Sequence, residues 1–182
     1  MNAEKKMNDT LFLDRDGVVN VQLEGDYVKA PDELILRDDF LCSIPLLKRR
    51  FRRFIIVTNQ QGVAKGICTM EQVDEVHRFL RGILRENGLE LDAIYVCPHH
   101  ANEGCPCRKP GIGMAQQAQR DFPDLDFSRC VMIGDKSSDM LFGRRAGMKT
   151  VYIGTVDASN EAEIRSCADI ITPSIYQFAL SL

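Results

Sequence analysis

The chain has 182 residues, 45% hydrophobic and 27% charged, which suits one domain able to bury roughly 70% of its unfolded surface without disulfide staples. A net charge of −3 and a pI near 5.6, with no basic stripe or polybasic tail, argue against a protein that binds nucleic acid or anionic membrane by charge. No apolar run approaches the roughly 20 residues of a bilayer span, and the opening MNAEKKMND lacks a signal peptide's apolar core, so a cytoplasmic protein with a small-molecule ligand is expected.

In chain order, short apolar runs rich in β-branched residues recur at 11–14 (LFLD), 54–59 (FIIVTN), 93–98 (AIYVCP), 130–135 (CVMIGD), 150–154 (TVYIG) and 168–173 (ADIITP). They predict strands buried on both faces. Helix-like segments lie between several of them. Residues 38–50 are ambiguous because Pro45 suits only a first turn or a kink. The clearest helix opens at Thr69 with a capping box to Gln72, presents Val73, Val76, Leu80, Ile83 and Leu84 on one face and stops at Gly88. Ser137 is expected to cap another, with Gly147 at its end. Alternating strands and helices predict a doubly wound α/β domain over 1–182, with a parallel sheet, helices on both faces and the ligand at the carboxyl ends of the strands. Residues 21–37 are too few for a separate cap, so an open site is expected.

Four strand ends should converge there: Asp14 with Asp16, Thr58 with Asn59, Cys97 with His99, and Gly134 with Asp135. Two carboxylates about 4 Å apart repel by on the order of 4 kcal/mol at an effective dielectric near 20, and Asp135 adds a third charge. A hard divalent cation such as magnesium would neutralise them and leave room for a substrate phosphate. VTNQQG offers the Thr58 hydroxyl, the Asn59 amide and backbone donors near Gly62; CRKP offers Arg108 and Lys109; GDKSSDM offers Asp135, and Asp139 to hold Lys136 or Lys109. Each piece alone has a plainer explanation: a turn at DRDG, a strand-to-loop exit, a solvated lysine, a favourable charge at a helix start.

Seven cysteines, an odd number without a secretion signal, favour reduced thiols or metal ligands. Cys97-x-His99, five intervening residues, then Cys105-x-Cys107 make a four-ligand set suited to structural zinc, with His100 as an alternative to His99 and reduced loop thiols as the alternative to a metal site. Such a zinc has no open position for water, and its loop would carry Arg108 and Lys109 into the crevice. Cys42, Cys68, Cys130 and Cys167 read as core or near-core residues, and His77 as a partly exposed helix residue. A zinc-stabilised nucleic-acid module lacks basic surface and stacking aromatics; a hydrolase using the zinc itself remains a distinct alternative.

The order DRDG, TN, K-P and GD-x-x-x-D resembles the haloacid dehalogenase (HAD) superfamily of phosphatases over nearly the whole chain. The resemblance implies that Asp14 attacks phosphorus to form an aspartyl phosphate and that Asp16 protonates the leaving alcohol and then activates water. It also implies magnesium on the Asp14 side chain, the Asp16 carbonyl and Asp135, with Thr58 and Lys109 stabilising the phosphoryl group. With the zinc loop it narrows to the group of heptose-bisphosphate and histidinol-phosphate phosphatases. CPHH, TNQ-x-G-x-A-x-G at 58–66, GDYV at 25–28 and GDK with Asp139 and Met140 are similar to the heptose branch of carbohydrate metabolism. The short gap between His99 and Cys105 is similar to the histidinol-phosphate branch, and Gly111 with Ile112 departs from a common His-Pro pair. On the heptose side the implied contacts to a sugar phosphate are Asp14, Asp16, Gly25, Asp26, Tyr27, Thr58, Asn59, Gln60, Gln61, Arg108, Lys109 and Lys136, in a protein expected to be a monomer.

Overall fold

The computed structural model describes residues 8–182. Among these the chain forms six parallel strands: β1 (Asn8–Leu13), β2 (Phe51–Asn59), β3 (Ala93–Cys97), β4 (Cys130–Gly134), β5 (Lys149–Ile153) and β6 (Ile170–Thr172). All six expected strands are present. They lie in the order β3-β2-β1-β4-β5-β6, with Leu11 beside both Phe54 and Val131. The chain winds outward from β1 to β3, returns to β4 and winds the other way. The strand order therefore reverses between β1 and β4, and their carboxyl ends flank the crevice expected at such a switch point.

Side chains alternate across the sheet. Leu11, Leu13, Ile133, Val151 and Ile153 pack on one face against α1 (Asp38–Leu47), α2 (Met70–Glu86) and α6 (Ile175–Leu180) through Phe40, Ile44, Val76, Leu80, Ile175 and Phe178. Phe12, Ile55, Val57 and Met132 face the other way onto α3 (Gly113–Asp121) and α4 (Ser137–Ala146), whose Met114, Ala118 and Phe142 complete that layer. Tyr152 extends it to α5 (Glu161–Cys167). Burial on both faces is why the strands read as unbroken apolar runs.

The capping box at Thr69 is present, the Thr69 N–H donating to Gln72 Oε1 at 2.9 Å. His77 differs from expectation: it lies on the same face as Val73, Val76, Leu80 and Leu84 and is buried. Residues 38–47 are helical despite Pro45, which sits in the last turn, where its missing N–H forgoes one intrahelical bond. Ser137 is not the cap of α4. Lys136 occupies that position, and its N–H donates to the Asp139 carboxylate at 3.1 Å. Cys42 is exposed, whereas Cys68, Cys130 and Cys167 are buried. The segment 21–37 carries one 3-10 turn, Pro31–Glu33, and is tied back by the Val21 N–H to the Ile35 carbonyl at 2.8 Å. Among the described residues, no helix is long and apolar enough to cross a membrane.

Candidate active site

Asp14 follows β1 directly and is buried at the floor of a crevice of about 380 Å³. Lys109 Nζ, also buried, donates to Asp14 Oδ1 at 2.7 Å and to the Val57 carbonyl at 2.8 Å, and lies 2.6 Å from Asp139 Oδ1. Three acceptors saturate the ammonium. Asn59 fixes the same lysine through its backbone: the Lys109 N–H donates to Asn59 Oδ1 at 3.0 Å, and Asn59 Nδ2 donates to the Lys109 carbonyl at 3.2 Å. Burial pushes the Asp14 carboxyl up to about 7, Lys109 opposing and Asp139 with Asp135 adding to the rise. Burial likewise raises Asp135 to about 6, against Lys136. For Lys109 burial acts downward, but Asp139 and Asp14 outweigh it and hold the ammonium charged.

Asp14, Asp135 and Asp139 offer oxygens that all lie within 4.8 Å of one another. Lys109 answers one of these charges, and Asp135 Oδ1 is buried without a hydrogen-bond partner. This surplus of hard oxygen donors fits a divalent cation. The approach is so close that a Cβ on Gly17, whose φ is +91°, would lie 2.1 Å from Asp135 Oδ2. A Cβ on Gly134 would lie 2.2 Å from the Asp139 Cβ.

Asp16, two residues after Asp14, has a different environment. Arg15 Nη2 donates to its two oxygens at 2.9 and 3.0 Å, Asn20 Nδ2 to Oδ1 at 3.0 Å and Gln60 Nε2 to Oδ2 at 2.8 Å. Burial disfavours ionisation here too, but Arg15, Asn20 and Gln60 outweigh it and hold the carboxyl below its usual range. Arg15 is fully buried and also meets His77 Nε2, 3.0 Å from its Nη1.

The remaining expected residues divide into groups. Gly25, Asp26, Tyr27, Asn59, Gln61, Arg108 and Lys136 line the crevice with Asp14, Asp16 and Lys109. Thr58 and Gln60 do not; both are buried behind the carboxylates, where Gln60 Nε2 donates to Thr58 Oγ1 at 2.8 Å. Cys97 and His99 also stay out of the crevice. With Cys105 and Cys107 they form a second cluster, at 3.4 Å for Cys97 to Cys105 and Cys105 to Cys107, and 3.2 Å from His99 Nδ1 to Cys107 Sγ. A tetrahedron with metal–sulfur bonds of about 2.3 Å has edges of about 3.8 Å, so this Cys/His cluster can hold a metal ion. His99, not His100, is the histidine in it; His100 accepts from the Asn102 N–H at 3.2 Å.

Arg15, Asn20, Lys65 and His77 also stand at the site, although the sequence does not single them out for it. Lys65 lines the crevice with Arg108 and stands 5.6 Å over the Tyr27 ring. That ring packs so closely on Gly62 that a Cβ there would meet it at 2.8 Å. Only His77 carried a usable signal, since it falls on the apolar stripe of α2.

A strand end bearing a buried aspartate, a buried lysine from a later loop and a carboxylate pair after β4, on a doubly wound parallel sheet, define a HAD-type hydrolase. A HAD-hydrolase-like family model matches residues 106–177. The D-glycero-beta-D-manno-heptose-1,7-bisphosphate 7-phosphatase of Vibrio cholerae is 37% identical over 172 residues, covering 91% of each chain. The D-glycero-alpha-D-manno-heptose-1,7-bisphosphate 7-phosphatase of Mycobacterium bovis is 32% identical, covering 94% of this chain and 90% of its own. The crystal structure of the B. bronchiseptica D,D-heptose 1,7-bisphosphate phosphatase, complexed with magnesium and phosphate, superposes with a TM-score of 0.83 at 28% identity, over 95% of this chain and 97% of that one. The chain belongs to the heptose-1,7-bisphosphate 7-phosphatase family of HAD phosphatases.

Proposed function

We propose that the protein removes the 7-phosphate of D-glycero-D-manno-heptose 1,7-bisphosphate through an aspartyl phosphate on Asp14. The observation that carries this is the buried Asp14–Lys109 pair at the floor of a crevice whose lining includes Lys65, Arg108 and Lys136. In the first step an Asp14 oxygen bonds to phosphorus, the bond to the leaving oxygen breaks, and Asp16 gives that oxygen its proton. In the second, water attacks phosphorus, Asp16 takes the water proton, and the Asp14–phosphorus bond breaks to release phosphate. Asp16 rests in its ionised form, ready for the second step. The negative phosphate arriving beside it raises its proton affinity and equips it for the first. Lys109 stabilises charge on the phosphoryl oxygens. Thr58 and Gln60 support this chemistry from behind, and Asn59 acts by holding Lys109 in place.

Asp14, the Asp16 carbonyl and Asp135 would hold magnesium, which supplies positive charge to the transferring phosphoryl group. Zinc on Cys97, His99, Cys105 and Cys107 would brace the loop that delivers Arg108 and Lys109. Arg108 is assigned to the phosphate that stays on C1, beside Gly25, Asp26, Tyr27, Gln61 and Lys136. The whole chain acts as one uncapped domain, a cytoplasmic monomer. The deciding experiment measures phosphate release from heptose 1,7-bisphosphate and from histidinol phosphate with magnesium present. Preferred turnover of the bisphosphate, leaving the 1-phosphate, is expected; preference for histidinol phosphate overturns the assignment.

A further inference from the structure

We propose that His77 is a positioning residue for the reaction, acting through Arg15 on Asp16. The inference rests on Asp16 as proton donor and acceptor. His77 projects from α2, far in sequence from the strand-end loop, and its Nε2 lies 3.0 Å from Arg15 Nη1. A guanidinium has only donors, so Nε2 is the acceptor and the imidazole proton sits on Nδ1. Burial, with the charge of Arg15, pushes the imidazole down to about 3, so the acceptor is present across the neutral range.

Arg15 has no solvent to turn towards, its exposure being 0%. With Nη1 held by His77, the opposite edge of the guanidinium faces Asp16, where Nη2 reaches both oxygens and Nε lies 3.3 Å from Oδ1. Asn20 and Gln60 fix the same carboxylate from other sides. Asp16 keeps 21% side-chain exposure, so it borders the crevice while anchored from behind. A proton donor works only within hydrogen-bond reach of the leaving oxygen, and the orientation of Arg15 sets where that donor stands. Without the imidazole, Arg15 retains an unpaired buried N–H and is free to rotate away from Asp16.

A residue that merely stabilises the fold would affect all substrates alike, whereas one that positions a proton donor would not. An alkyl sugar phosphate needs its leaving oxygen protonated; p-nitrophenyl phosphate, whose leaving group is a stable anion, needs little help. His77→Leu removes the acceptor, and His77→Gln supplies one through its amide oxygen. In the full-length magnesium-loaded enzyme under single-turnover conditions, His77→Leu is expected to lower the rate of heptose 1-phosphate release from heptose bisphosphate by about tenfold or more, out of the 10²–10⁴-fold that general acid–base catalysis contributes, with little change in substrate affinity. Single-turnover release of p-nitrophenol from p-nitrophenyl phosphate should change far less, and His77→Gln should recover most of the loss; leaving-group release is the readout because the later hydrolysis of the aspartyl phosphate, with Asp16 as base, is common to both esters. If His77→Leu does not fold, His77→Asn replaces it, since its shorter amide keeps polarity but withdraws the acceptor. Equal losses in leaving-group release from the two esters, a loss confined to substrate affinity, or no recovery in His77→Gln would overturn the proposal. Asp16→Asn is the control: if it too slows leaving-group release from both esters equally, the role of Asp16 as proton donor fails, and the positioning role with it.

Discussion

Asp14 and Asp16 have the same side chain and stand two positions apart, yet their surroundings drive them in opposite directions. Burial among carboxylates raises Asp14 to about 7, whereas Arg15, Asn20 and Gln60 overcome burial and lower Asp16. A group whose folded-state value is raised from 3.8 to about 7 costs stability once it ionises, and the sign follows from proton counting. Below the unfolded value both states are protonated and nothing is lost; the penalty grows as pH rises and is complete above the folded value. Asp14→Asn keeps the neutral form permanently. Phosphoenzyme formation should be abolished, and thermal melts of magnesium-free protein should move in the variant's favour, relative to wild type, between about pH 4 and about pH 7. A constant difference across that range would contradict the raised value. Arg108 tests the other end of the substrate. Its fork can grip a phosphate bidentately, so Arg108→Ala should damage kcat/KM for the bisphosphate far more than for a small monophosphate ester, whereas Lys109→Ala should damage both. Equal damage by Arg108→Ala would remove the remote-phosphate role.

At the scale of elements, the proposed zinc bears on the loop between β3 and α3. The loop's His99, Cys105 and Cys107 cluster with Cys97, the last residue of β3, and are immediately followed by Arg108 and Lys109. Arg108 Nη1 donates to the His99 carbonyl at 3.4 Å, so the cluster and the substrate side of the loop are mechanically joined. Structural zinc in small domains contributes about 10–16 kcal/mol of apparent binding free energy, enough to order a loop with few apolar contacts. A strong zinc chelator should therefore loosen this loop, raise KM and lower the melting temperature. Removing magnesium alone should stop turnover with the far-ultraviolet circular dichroism unchanged. Unaltered kinetics after verified zinc removal would contradict the bracing role. The Cys/His cluster was legible because its spacing is written in residues close together along the chain. Its position was not: the sequence reading placed Cys97 and His99 in the crevice, and they lie outside it, because only Arg108 and Lys109 continue into it.

Across the whole molecule, the crevice joins the ends of β1, β2 and β4 with residues 22–28, the turn after β2, the loop before α3 and the start of α4, and it concentrates more carboxylate than ammonium at its floor. Magnesium held as proposed by Asp14 and Asp135 would displace protons from these carboxyls, which are raised to about 7 and about 6. Its affinity should fall as pH drops from about 8 to about 5, with protons released on binding most evident near the two raised values. Calorimetry in two buffers of different ionisation heat measures that release, and pH-independent affinity with no proton release would show the carboxylates to be ionised already.

The sequence by itself determined what depends on near neighbours. Six apolar runs became six strands, because burial on both faces demands unbroken β-branched stretches, and the Thr69 capping box became a helix start, because its two bonds span three residues. The order of Asp14, Thr58, Lys109 and Asp135 along the chain marked the site. The tertiary structure decided what each side chain there touches. Asn59 turns to the backbone of Lys109, 50 positions away; Thr58 and Gln60 sink behind the carboxylates; His77 meets Arg15 across 62 positions. Periodicity and capping act over one or two turns of chain, whereas the direction of a polar side chain at a strand end is set by whichever donor or acceptor a distant element brings beside it.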